Sequence, residues 1–351
     1  MLRYRILKLR GDCLLSLFLL TLIFGLILRI ISLCRETFNH EPLSKAPGGD
    51  VEPFSLLLIV LGHSRPSSLQ RLLNSLSKVE WLHSRVDLRI WIDRGSPRDS
   101  LRVAKGFIWS HGSKIVRIRK VHYGLLKSWL QAWPLWDRHD YALILEDDLE
   151  IHPQVYQAFR YLTSKIGSRD VDGVIFQRLQ DIPCGSFVHF ASSWAPVFSR
   201  RVFHDFVGWY NARRTCVPGF QPFVPGHDKT YNHWLRERRD VWSPWLRRYL
   251  YEKGTVFLYV GSLGMVHNHH ERGSHQTEAP AFFVHRKIWP KVEWNRIQEC
   301  VLQNSPVFEC NNTQDGVQCG PVDGDRRALL RRGIKGFLSD KLWICGAPRA
   351  V

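Results

Sequence analysis

Three consecutive carboxylates, Glu146-Asp147-Asp148, stand directly behind the apolar run Tyr141–Leu145 (YALIL). Acids placed at the end of a buried strand are costly unless water or a cation neutralises them. Adjacent carboxylates offer the hard oxygen ligands that Mn²⁺ or Mg²⁺ prefers, together with diphosphate oxygens. An ion held there can clamp a diphosphate and stabilise the charge that builds on it as it leaves. The plain alternative is a solvated acidic turn ahead of the helix that Pro153 opens. Two other polar groups end apolar runs in the same way: His63-Ser64-Arg65 after SLLLIVLG, and Asp93 after DLRIWI. Asp93 is placed to accept hydrogen bonds from a base or ribose, or to form a turn before Arg94-Gly95-Ser96.

These residues matter only if the chain brings them to one edge, and the pattern around them predicts that it does. Ser55–Leu61 is continuously apolar, as a central strand covered on both faces must be. A helix follows from Pro66, with Leu69, Leu72, Leu73 and Leu76 on one face. Asp87–Asp93 alternates as a strand, Ile115–Ile118 is a weaker one, and Leu125, Trp129, Leu130, Trp133 and Trp136 mark a helix face. Tyr141–Leu145 is a further buried strand. Val155, Phe159, Leu162 and Ile166 fall in helical register after Pro153, and Gly173–Gln177 reads as another strand. Strands alternating with helices over 55–180 imply a doubly wound, mainly parallel α/β sheet, whose ligands lie beyond the carboxyl ends of its strands.

The chain of 351 residues is 44% apolar and 12% aromatic, enough for a sizeable core. Its net charge is +17, of which residues 1–50, with seven Lys/Arg and four Asp/Glu, carry only +3. A basic domain points to anionic partners without choosing among them. Arg3, Arg5, Lys8 and Arg10 precede an apolar run from Cys13 to Leu28 that Ile30, Ile31 and Leu33 extend past Arg29. That length spans a bilayer, and the cations before it predict a cytosolic tail over 1–12, an anchor over 13–34 and a lumenal remainder. A cleaved signal peptide is the alternative; no A-x-A site follows Leu28. Residues 35–52, with Pro42, Pro47, Gly48 and Gly49, read as a short stem. A secretory-pathway domain, of the Golgi or the endoplasmic reticulum, makes nucleic acid an unsuitable partner. Cys184, Cys216, Cys300, Cys310, Cys319 and Cys345 lack the C-x-x-C pairs of a zinc site and favour disulfides in an oxidising lumen. Asn311-Asn312-Thr313 is an N-glycosylation acceptor pattern.

LLLIVLGHSRPSSLQRLLNSL, the strand ending at Asp93, and YALILEDDLEIHPQVYQAF resemble the nucleotide-sugar half of GT-A glycosyltransferases, especially family 2-like enzymes and N-acetylglucosaminyltransferase I. The resemblance covers roughly 54–165 and implies a GT-A, Rossmann-like domain over 53–351. Within it, 53–180 would hold the nucleotide sugar and 181–299 the acceptor, with 300–351 a cysteine-containing tail. It makes the acidic triplet the equivalent of the family's D-x-D motif. Asp148 would be the metal ligand, with Glu146 and Asp147 near ribose and donor sugar. It also implies a UDP-sugar ahead of a GDP-sugar, a glycan or glycoprotein acceptor, and inversion at the anomeric carbon. A second likeness, to eukaryotic family 2-like proteins, covers about 190–276 and includes NHHERGSH. A late histidine often completes the metal or diphosphate site of GT-A enzymes, which singles out His269 and His275. Zinc ligation by the histidines of His267–His275 with Glu271 is the rival reading of that segment.

Inverting transfer needs a base for the acceptor hydroxyl's proton. Asp228 and Asp205 are the candidates in the acceptor half. N-acetylglucosaminyltransferase I carries an acidic pair before a Trp where this chain has Asn232-His233-Trp234, so the catalytic acid does not transfer by direct match. Trp194, Trp209, Trp234, Trp242 and Trp245 could stack on sugars, although buried core is the commoner fate of tryptophan. A Golgi sulfotransferase would need a Gly-rich phosphate loop, which Gly62-His63-Ser64-Arg65-Pro66 lacks. A non-catalytic protein that keeps the fold and binds glycans or a partner is the other alternative, and a basic membrane-surface binder the blandest.

Overall fold

The computed structural model describes residues 54–166, 172–177, 182–189, 192–224, 235–237, 241–261, 266–268, 307–313 and 316–321. All belong to one compact unit, Glu52–Val351. The expected tail, anchor and stem lie outside the described residues. Among the described residues no helix is long and apolar enough to cross a membrane.

The first half follows the expected alternation. Strand β1 (Leu56–Gly62) leads to helix α1 (Pro66–Leu76), β2 (Val86–Ile92), α2 (Arg98–Gly106), β3 (Lys114–Ile118), α3 (Gly124–Leu130), β4 (Tyr141–Glu146), a short β5 (Leu149–Ile151) and α4 (Val155–Ile166). β1 pairs in parallel with both β2 and β4, and β2 with β3. Every residue of β1 is buried because both of its faces are covered. Leu56, Leu58 and Val60 join the core under α1 and α4, while Leu57, Ile59 and Leu61 join the core on the opposite face. Each such aliphatic side chain contributes about 1.5–3 kcal/mol by leaving water. α1 buries its expected stripe, Leu69, Leu72, Leu73 and Leu76, with Pro66 in its first turn.

The second half departs from a mainly parallel sheet. β6 (Gly173–Ile175), β7 (Phe187–His189), β8 (Val197–Ser199), α5 (Arg200–Cys216), α6 (Ser243–Lys253), β9 (Phe257–Tyr259), β10 (Val266–Asn268), β11 (Val307–Thr313) and β12 (Gly316–Pro321) complete the order. The main sheet has ten strands, in the order β12-β11-β7-β9-β6-β8-β4-β1-β2-β3. β8 runs antiparallel to both β4 and β6, β7 to β9, and β12 to β11. The sheet is therefore mixed. Among the described residues no helix lies between β6 and β8, so nothing there supplies the crossover that successive parallel strands need. α5 and α6 cover the face that α3 shares.

The helix expected through Trp136 ends at Leu130. Pro134 has no N–H to continue the ladder, and Trp136 stands exposed with the Arg89 guanidinium 4.7 Å from its ring centre. α2, which no apolar periodicity announced, opens after Pro97 with Asp99 in its first turn and Lys105 in its last, suiting the helix dipole. Cys184 and Cys216 are disulfide-bonded. Cys310 lies opposite Cys319 in the β11–β12 register, and the glycosylation pattern at Asn311 falls within β11.

Candidate active site at the carboxyl ends of the parallel strands

β1, β2 and β4 end side by side, which brings six of the residues singled out above to one edge. Gly62 pairs with Ile92 and Leu61 with Glu146, so the chain leaves these strands at His63, Asp93 and Asp147 at one level. The His63 N–H donates to Asp147 Oδ2 at 3.1 Å. Arg65 pairs with Asp147 and, at 3.0 Å, with Asp148 Oδ2. Glu146 accepts from the Trp129 indole N–H at 2.9 Å, and Trp129 stacks on Trp242 with ring centres 3.7 Å apart.

This concentration of charge sets the protonation energetics. Burial, then the charge of Asp148, holds the Glu146 carboxyl well above the usual carboxylate range, against the Trp129 hydrogen bond and Arg65. Burial also raises Asp147, opposed chiefly by Arg65. Burial disfavours the Arg65 cation, but Asp147 and Asp148 more than offset it and leave its pKa raised. Arg65 pairs with two of the three acids, and among the described residues Asp148 Oδ1 is buried with no hydrogen-bond partner. An orphaned carboxylate oxygen in such surroundings fits a hard divalent ion. Among the described residues, no three Asp, Glu, His or Cys side chains form a ready metal cage. The fit therefore requires further oxygen donors, such as those of a diphosphate.

Asp93 is buried at this edge, but its oxygens are already engaged. Oδ1 accepts from the backbone N–H groups of Arg94 and Tyr123, and Oδ2 from Gly124 N–H at 3.0 Å and His122 Nδ1 at 2.9 Å. It thereby anchors the start of α3, a different use from the nucleotide contact expected of it.

Of the two acceptor-half candidates, only Asp205 is among the described residues, and it is not at this edge. Asp205 lies on α5 and accepts from the Tyr249 hydroxyl at 2.8 Å, which joins α5 to α6. Burial raises the Tyr249 hydroxyl's pKa, helped by Asp205 and more weakly by Asp172. Asp172 precedes β6, where Gly173 pairs with Phe198 and Phe198 with Ala142 near the start of β4. Asp205 is thus associated with the amino end of β4, away from the triplet. Asp228, His269, His275 and Trp234 lie outside the described residues. Asn268 is opposite Leu149, the residue after Asp148. Trp209 on α5 and Trp242 and Trp245 at the start of α6 are core residues, and Trp194 packs partly buried against the opposite core.

Three residues of this edge were not singled out in the sequence. Trp129 was read only as one position of a helix face. Ser96 and His122 follow the ends of β2 and β3, and position at a strand end was the signal that could have found them.

No protein-family model matches the sequence, and no curated protein matches it. Several solved structures share part of its form. Residues 1–349 of TarS from S. aureus in complex with UDP-GlcNAc are 11% identical over 43% of this chain and 47% of that one, with a TM-score of 0.34. A structure of S. aureus TarS is 12% identical over 43% and 29%, with a TM-score of 0.37. Mannosyltransferase PcManGT from Pyrobaculum calidifontis, in complex with GDP-Man and Mn²⁺, is 12% identical over 52% and 54%, with a TM-score of 0.35. The chain thus spans about half the length of these proteins, or less. Likenesses of this size leave donor, metal and acceptor to be argued from the residues themselves.

Proposed function

We propose that the chain is a glycosyltransferase that uses a divalent metal ion, Mn²⁺ or Mg²⁺, to bind a nucleotide sugar, with UDP favoured over GDP. It would transfer the sugar, with inversion, to a glycan or glycoprotein in the Golgi or endoplasmic reticulum. The observation that carries this reading is the orphaned Asp148 Oδ1 just past β4, in an acidic triplet two of whose members pair with Arg65. Asp148 would be the protein's ligand to the ion. His269 is a second proposed ligand, and His275 a third. A bound ion would supply charge stabilisation to the departing diphosphate.

The chain's own groups do the rest. Glu146 and Asp147 would lie near the ribose and donor sugar, and Arg65 can turn from Asp148 to the phosphates once the carboxylate has another cation. His63 lies at the same edge. In the transfer the acceptor oxygen bonds to the anomeric carbon as the carbon–oxygen bond to the diphosphate breaks, and the hydroxyl proton passes to a base, for which Asp228 is proposed. The anchor over 13–34 would hold the domain in the lumen as a single-pass type II membrane protein.

The engagement of Asp205 with Tyr249 favours a second reading, a protein that keeps the fold and binds glycans or a partner without catalysis. Melting the full chain in detergent with UDP- and GDP-sugars, each with and without Mn²⁺, separates the two. A ligand at 100 times its dissociation constant adds about 2.7 kcal/mol to the folded state. A metal-dependent upshift with one nucleotide, lost in Asp148→Asn, is the expected result. Folded protein that responds to no nucleotide sugar would overturn the enzyme reading.

A further inference from the structure

His63 and His122 share a geometry that neither the triplet nor the proposed transfer uses. His63 follows β1 and His122 follows β3, and their rings stand with centres 5.4 Å apart. In each ring one nitrogen is already engaged. The Ser96 hydroxyl donates to the Asp93 carbonyl at 2.7 Å, which leaves its oxygen to accept from His63 Nδ1 at 3.0 Å. His122 Nδ1 donates to Asp93 Oδ2 at 2.9 Å. Asp93 cannot drift, because the backbone N–H groups of Arg94, Tyr123 and Gly124 fix its carboxylate. In both rings Nδ1 is engaged and Nε2 is the ring nitrogen left over, and both side chains are open to solvent.

That arrangement is the one metal-binding histidines adopt: the far ring nitrogen donates to a carboxylate or similar acceptor, which fixes the ring and strengthens the near nitrogen as a ligand. Two imidazoles on one tetrahedral ion, each ~2.0–2.1 Å from it, have ring centres roughly 5 Å apart. The observed centre-to-centre separation of 5.4 Å, with the ring planes inclined at 40°, is close to that spacing. From this geometry we propose that His63 Nε2 and His122 Nε2 form a site for a borderline divalent cation, Zn²⁺ or Ni²⁺, with water completing the coordination. Imidazole pairs suit such ions better than they suit Mg²⁺. The site is separate from the oxygen ligands at Asp148 and does not depend on the transferase reading.

Calorimetric titration of the full chain in detergent with Zn²⁺ tests the proposal, with stoichiometry as the readout. Other histidines, notably His267, His269, His270 and His275, can bind the same ion, so the comparison is between variants. His63→Gln and His122→Gln should each take up one equivalent fewer than the unaltered chain, the double variant should lose no more, and Asp148→Asn should keep that equivalent. Asp93→Asn should weaken the same equivalent about 10-fold or more. Unchanged stoichiometry in either histidine variant, or a loss confined to one of them, would overturn it. Both residues are solvent-exposed, so their replacement leaves the core intact.

Discussion

Arg65 carries more of the local electrostatics than any other single side chain, because it is paired with two of the three acids. Arg65→Ala would leave Asp147, almost wholly buried, without its cation. Breaking one side of a buried pair costs about 3–5 kcal/mol, so a loss of that order in chemical denaturation at pH 7 is expected. The loss should shrink as pH falls, when the stranded carboxylates take up protons, and added Mn²⁺ should recover part of it. A loss that did not change between pH 7 and pH 4 would mean that Arg65 acts through packing instead. The acids were legible in the sequence because three carboxylates behind an apolar run are chemically conspicuous. Their relation to Arg65, distant in sequence, was legible only as two strand ends that a parallel sheet must place together.

At the level of elements, Asp93 is central to the junction between β3 and α3. Asp93 gathers Tyr123 and Gly124, and Gly124 opens the helix with a φ of +65°. A side chain there would be strained by about 1–2 kcal/mol in that left-handed backbone, even though nothing lies within 4 Å of an added Cβ. Gly124→Val should therefore lower the midpoint of unfolding without altering its slope. Asp93→Ala, which frees several backbone donors at once, should cost more, about 2–4 kcal/mol. An equal or smaller effect of Asp93→Ala would show that water satisfies those donors. Elements with strong periodicity, β1, α1, β4 and α4, were readable because burial imposes the pattern. α3 was over-read because Trp133 and Trp136 continue its spacing, and only Pro134 signals the break. β7 and β8, two of the strands that reverse direction in the second half, are three residues long, too short for a period to identify.

Across the whole molecule, the two ends of the parallel strands answer pH differently. At the amino end, His139 lies between Asp137 and Asp87, with Nδ1 engaged by Asp137 and Nε2 3.5 Å from Asp87. Burial opposes its charge, but hydrogen bonds and attraction to both acids lift its pKa from 6.5 to about 9. A raised folded-state pKa means stability that is fully present below about pH 6.5 and lost as pH climbs through about 9, up to about 3 kcal/mol. Asp137, despite the opposing effect of burial, is lowered to about 2 by His139 and Arg89. Its contribution is present above about pH 4 and lost as pH falls through about 2. The contribution of this cluster should therefore be greatest between about pH 4 and 6.5, and His139→Gln should flatten the decline towards pH 9. A decline of the same size in that variant would exclude His139 as its source. None of this cluster was visible in the sequence, because Asp87, Arg89, Asp137 and His139 meet only through the pairing of β1 with β2 and β4.

The stacked pair Trp129 and Trp242 gives the molecule an optical consequence. Two indoles 3.7 Å apart and within 20° of parallel are coupled oscillators, and their transitions split into a circular-dichroism couplet instead of adding. One partner is also hydrogen-bonded to Glu146, so a change of charge on that carboxyl shifts one oscillator relative to the other. Trp242→Phe should erase the couplet and leave the rest of the aromatic spectrum in place. In the unaltered chain, the couplet's shape should follow ion binding at the neighbouring Asp148, an intrinsic reporter that needs no label.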